Sequence, residues 1–107
     1  MISAENATKF RGVRPDHGGR LQLKLSQASG TRAEYVLTLL TPEAELSARV
    51  SIDASSESLE FGPFQGGSPP TWLEGYAHAL LRSALRTKNS EGDWPRRLTR
   101  WRPTPKA

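Results

Sequence analysis

Trp94, Leu98 and Trp101 recur at i, i+4 and i+7, and Arg96, Arg97, Arg100 and Arg102 are interleaved with them. Arginine offers forked hydrogen bonds to phosphate or carboxylate, and tryptophan offers a stacking plane or a large apolar surface. Together they suit an anionic polymer, with guanidinium groups on phosphates and indoles under unstacked bases. Read as a helix over 94–102, capped by Asp93 with Pro95 in its first turn, the three apolar residues form one stripe. Arg96, Arg97 and Arg100 then form a cationic face. A tryptophan at helical spacing is more often core than reader, so the stripe is expected to close one end of a small fold. The arginines stay available either way. With the basic end of the preceding segment, the candidate binding set is Arg82, Arg86, Lys88, Trp94, Arg96, Arg97, Arg100, Trp101 and Arg102.

Other chemistries are poorly supplied. His17 and His78 are the only histidines, there is no cysteine, and no carboxylate follows His78 at i+3 or i+4. A zinc site needs about four ligands with supporting partners, so no metal is expected. Serines are many, but none sits in a Gly-x-Ser-x-Gly elbow. Glu43, Glu45, Glu57 and Glu60 fall at strand ends and turns, where they keep sheet edges soluble. The glycine pair Gly66-Gly67 invites a phosphate-cradle reading, yet Pro69 and Pro70 remove two of the N–H groups it would use. The chain is therefore expected not to be an enzyme, with no cofactor, no metal and no small-molecule substrate.

Elements must hold these side chains. Leu21, Leu23 and Leu25 alternate with Gln22, Lys24 and Ser26, the period of a half-buried strand. Ala33–Thr41 is apolar on both faces and belongs in the middle of a sheet. Leu46, Ala48, Val50 and Ile52 alternate with polar residues, as do Leu59 and Phe61. Short turns at 28–31, 41–43 and 54–57 connect them, so an antiparallel meander of about four strands over 20–61 is the economical topology. After the Gly62–Pro70 loop, Leu73, Tyr76, Ala77, Leu80, Leu81 and Ala84 make a helical face over 70–87, with Ser68 as its cap. The fold class is α+β: this helix covers one face of the sheet, and the short 94–102 helix follows. The expected core is Leu21, Leu23, Leu25, Leu37, Leu39, Leu46, Val50, Ile52, Leu59, Phe61, Leu73, Ala77, Leu80 and Ala84. The expected domain spans 20–102, flanked by a flexible basic arm over 1–19 and a flexible tail over 103–107.

Charge is polarised along the chain. The net charge is +4, but residues 32–61 carry two basic against six acidic side chains and residues 79–107 carry eight against two. An acidic middle and a basic C-terminal third raise the odds of an acidic partner. A protein partner, or a second copy in a homodimer, is expected first. Nucleic acid, with a single strand favoured, is the alternative. A membrane surface ranks third, because nine amphipathic residues bury little area. Met1–Phe10 has no apolar run and no stretch reaches the roughly 18 residues of a membrane span, so a cytoplasmic location is expected. The lack of cysteine excludes a disulfide scaffold.

Overall fold

A computed structural model describes residues 14–105. Most of the expected N-terminal arm, and the end of the expected tail, lie outside the described residues. The elements are β1 (Gly19–Ser29), β2 (Arg32–Leu40), β3 (Glu45–Asp53), β4 (Ser58–Phe61), α1 (Thr71–Glu91) and β5 (Arg97–Arg102). The strands form one five-stranded sheet in the order β4-β3-β2-β1-β5, and every neighbouring pair is antiparallel. This is an α+β fold: a meander-like sheet with one helix on one face. Among the described residues no helix is long and apolar enough to cross a membrane.

The alternation of each strand explains the sheet. Leu21 and Leu23 on β1, Ala33, Tyr35, Leu37 and Leu39 on β2, and Leu46, Ala48, Val50 and Ile52 on β3 are all buried on one face. Leu25, Leu59 and Phe61 are partly buried and pack against them. Helix α1 covers this face with Leu73, Ala77, Leu80, Leu81, Ala84 and Leu85. Each fully buried leucine contributes about 1.5–3 kcal/mol, so these rows dominate stability. β2 lies at the centre of the sheet, as its apolar content requires. The β3–β4 turn is held by Asp53, whose Oδ1 accepts hydrogen bonds from Ser55 Oγ at 2.7 Å and Ser55 N at 2.9 Å. These bonds, the hydroxyl's first, hold its carboxyl below the ordinary range.

Two expected boundaries change. Helix α1 starts at Thr71 behind Pro70, and no side chain caps it, so Ser68 does not serve. It ends later than expected, at Glu91. Asn89, Ser90 and Glu91 tolerate helical geometry, and the stop comes from Gly92 in the left-handed region (φ 87). Gly92 N donates to Lys88 O at 2.8 Å, and Lys88 Nζ donates to Gly92 O at 2.8 Å.

The largest correction concerns 94–102, which is not a helix. Residues 97–102 form β5 along the outer edge of β1, in register from Gly19↔Arg102 to Lys24↔Arg97. A nine-residue helix is marginal in water, whereas the free edge of β1 offers a row of unpaired backbone groups. Leu98 turns to the core side, opposite Leu23. Trp101 lies on the other face, so the expected stripe of Trp94, Leu98 and Trp101 does not exist.

Candidate functional site

The face of the sheet away from α1 is open across its middle. Alternation puts Arg20, Gln22 and Lys24 of β1 there, because Leu21 and Leu23 point to the core. In register beside them stand Arg97, Thr99 and Trp101 of β5. One cross-strand row reads Arg97, Lys24, Val36, Arg49. The next reads Thr99, Gln22, Thr38, Ser47, and the third Trp101, Arg20, Leu40, Glu45. Leu40 is fully buried at that end of the face, and Val36 is exposed in the middle.

Charge divides the face. The β1–β5 half carries Arg20, Lys24 and Arg97, and among the described residues no carboxylate. Neither Lys24 nor Arg97 has an ion-pair partner among the described residues. The β2–β4 half is mixed: Glu34, Glu45, Asp53 and Glu60 lie with Arg32 and Arg49, and Arg32 Nη1 approaches Asp53 Oδ2 at 4.0 Å.

Trp101 is the exposed aromatic on the basic half, 41% accessible. Its position is fixed from one side. Nε1 donates to the His17 carbonyl at 3.1 Å, and the two rings meet edge to face at 5.3 Å. Gly18 packs against the indole so closely that a Cβ there would stand 2.9 Å from the ring and 2.5 Å from the Arg102 carbonyl oxygen. A tryptophan held this way is a preformed stacking plane, with little side-chain entropy left to lose on binding.

Seven of the nine candidate residues fall into three groups, and Arg82 and Arg96 stand apart. Arg97 and Trp101 belong to the open face. Arg100 and Arg102 lie on the other side of β5, and Arg86 stands on α1 beside them. Arg100 and Arg86 line one cleft there, and the Arg102 guanidinium sits 5.4 Å over the Tyr76 ring. Arg82 is exposed on α1, one turn before Arg86, and Arg96 is exposed just ahead of β5. Trp94 and Lys88 form the third group and serve the fold. Trp94 is buried edge-on to Tyr35, its Nε1 donates to Gly30 O at 3.5 Å, and Lys88 Nζ lies 5.7 Å from its ring. So one tryptophan is core, as expected of the pair, and the other is not.

Sequence reasoning missed Arg20, Lys24 and Arg49 as members of a shared surface. Their signal was present: they are the polar positions of alternating strands. What alternation lacks is the pairing partner, and only β5 beside β1 makes Lys24 a neighbour of Arg97. His78, half-buried, stacks on Phe61 at 4.5 Å, and among the described residues no group of three or more His, Asp or Glu side chains forms around it. No protein-family model, no curated protein and no solved structure matches the chain.

Proposed function

We propose that this chain is a non-catalytic binding module that holds single-stranded nucleic acid on the basic half of its open sheet face. One observation carries the proposal: a fixed, exposed tryptophan stands on a carboxylate-free surface with Lys24, Arg97 and Arg20. Trp101 stacks a base, and the cations engage flanking phosphates. Thr99, Gln22 and Thr38 between them add neutral hydrogen-bonding groups. A duplex keeps its bases stacked inside and cannot use the indole, so a single strand is preferred.

The test is a titration of short single- and double-stranded oligonucleotides at low and moderate salt. Binding of the single strand should quench Trp101 emission, and Trp101→Ala should abolish that quench. Affinity should fall with salt by a slope near 0.7 per phosphate contact. Lys24→Ala with Arg97→Ala should weaken binding and lower the slope. Absence of single-strand binding at low salt would overturn the proposal.

A protein partner is the second proposal, supported by the mixed-charge half of the same face. There a shallow cleft of about 450 Å³ brings Glu34, Arg49 and Glu60 together. Charged groups of both signs suit a protein surface better than a polyanion. A homodimer through paired sheet edges is poorly supported. Arg100 Nη1 and Arg102 Nη1 donate to the carbonyls of Thr99 and Trp101, at 2.8 and 2.9 Å, and occupy acceptors of the β5 strand.

A further inference from the structure

A second cationic surface lies behind the first, between α1 and β5. Ser83, Arg86, Thr87, Asn89, Ser90 and Arg100 line a cleft of about 590 Å³. A smaller one, lined by Tyr76, Leu80, Ser83, Arg100 and Arg102 among others, shares Ser83 and Arg100 with it, so the two form one groove along the helix. No aspartate or glutamate lines either part. Among the described residues neither Arg86 nor Arg100 has an ion-pair partner.

The polar groups are arranged to donate. Arg86 Nη2 donates to Ser83 Oγ at 3.1 Å, which fixes that guanidinium against the groove and leaves the Ser83 hydroxyl hydrogen to point elsewhere. Arg100 uses Nη1 on the Thr99 carbonyl and keeps the rest of its fork. Thr87 and Asn89 add a hydroxyl and an amide. Two unpaired guanidinium groups among neutral donors are the chemistry that recognises a phosphate, through charge-assisted and bidentate hydrogen bonds.

We infer that the groove between α1 and β5 is a phosphate subsite, with Arg86 and Arg100 as its two cationic arms and Ser83 as a positioned donor. The groove is open and larger than one phosphate, so it also admits a phosphate carried on a larger body. β5 is an edge strand, with Arg97 and Trp101 on one face and Arg100 on the other. A single strand that rounds this edge places a base on Trp101 and a later phosphodiester in the groove. That polymer source rests on the function proposed above, whereas the phosphate chemistry of the groove does not.

The experiment has two arms, each run on the wild type and on Arg86→Ala/Arg100→Ala, with circular dichroism to confirm the fold. In the first, a short and a longer oligothymidylate are titrated. The double variant should lose about tenfold or more in affinity for the longer strand, as expected of lost charge-assisted bonds, and nearly nothing for the shorter. Its salt slope should fall by about 0.7 for the one lost phosphate contact. In the second arm, inorganic phosphate is added at constant ionic strength while backbone amide signals are followed. Shifts confined to residues 83–90 and 99–100, absent in the double variant, support the subsite and identify free phosphate as a ligand. Strand binding unaffected by the double substitution, together with no phosphate-dependent shifts, overturns the subsite while the open-face proposal stands. If no oligonucleotide binds the wild type, the open-face proposal fails, and the phosphate arm alone decides the groove: shifts support it and their absence overturns it.

Discussion

Tyr35 carries a hydroxyl into the core and finds one partner there, the Pro95 carbonyl at 2.7 Å. The residue is fully buried, and burial pushes its phenol up to about 12 from an ordinary 10.0. Below pH 10 both states keep the proton and stability is unaffected. Between 10 and 12 the unfolded chain has lost its proton and the folded chain has not. Stability should therefore fall as pH rises, by about 1.4 kcal/mol per unit. Tyr35→Phe should cost about 1 kcal/mol at neutral pH, because the Pro95 carbonyl loses its donor, and should flatten this alkaline slope. Urea unfolding at neutral pH and near pH ~11 checks both; parallel losses in the two proteins would assign the slope to other groups. Gly18 makes the opposite kind of demand, since its φ of 75 and its contact with Trp101 leave no room for a Cβ. Gly18→Ala should destabilise by about 1–3 kcal/mol and free the indole, shifting its emission and weakening oligonucleotide binding. Unchanged emission and stability would show that the segment at Gly18 does not hold the ring.

Helix α1 offers a cleaner comparison between two glycines. Gly75 lies inside the helix and Gly92 ends it in the left-handed region, and at both an added Cβ meets nothing within 4 Å. Only backbone preference then decides the outcome. Gly75→Ala should stabilise by about 0.5–1 kcal/mol and Gly92→Ala should destabilise by about 1 kcal/mol. The double variant should come out near zero, because the sites are distant enough to add. Thermal unfolding of the three proteins measures this, and a loss at Gly75 would mean that the helix needs flexibility there. The elements also show what the sequence could and could not disclose. β1 to β4 were legible because Leu21, Leu23, Leu46, Val50 and Ile52 alternate, and α1 because its apolar residues recur at three and four. β5 was not, because its two inward arginines, Arg100 and Arg102, hide a period of two. Arginine can turn inward here because β5 is an edge strand and its groove reaches solvent. Leu98 and Trp101 mimic helical spacing only by coincidence. Misplacing that strand also hid the candidate site, since the basic surface is made by pairing β5 with β1 and is encoded in neither segment alone.

At the scale of the whole molecule, charge is sorted by position in the sheet. The acidic residues of the central segment sit on β2 to β4 and their turns, with Arg32 and Arg49 among them, whereas the charged groups on the open face of the β1–β5 flank are all cations among the described residues. The net charge of +4 keeps molecules apart, and both sheet edges resist pairing. β4 is four residues long and runs into Gly62-Pro63, and β5 has its own arginines on its carbonyls. The protein should be a monomer by light scattering up to about millimolar concentration. Arg100→Ala with Arg102→Ala should raise self-association by uncovering the edge. A wild-type dimer with the same edge variants unaffected would place the contact on a face. The joining of β5 to β1 carries one more consequence, for how the chain reaches this state. Contacts at that seam link residues as far apart as 84 positions. During vectorial synthesis a nascent chain can build the meander and lay α1 upon it while the outer flank of β1 still waits. Closing so long a loop is entropically slow, which makes seam formation the natural late step. Until then β1 is a bare template for another chain, and a polypeptide stalled before Arg97 is the aggregation-prone species of this fold.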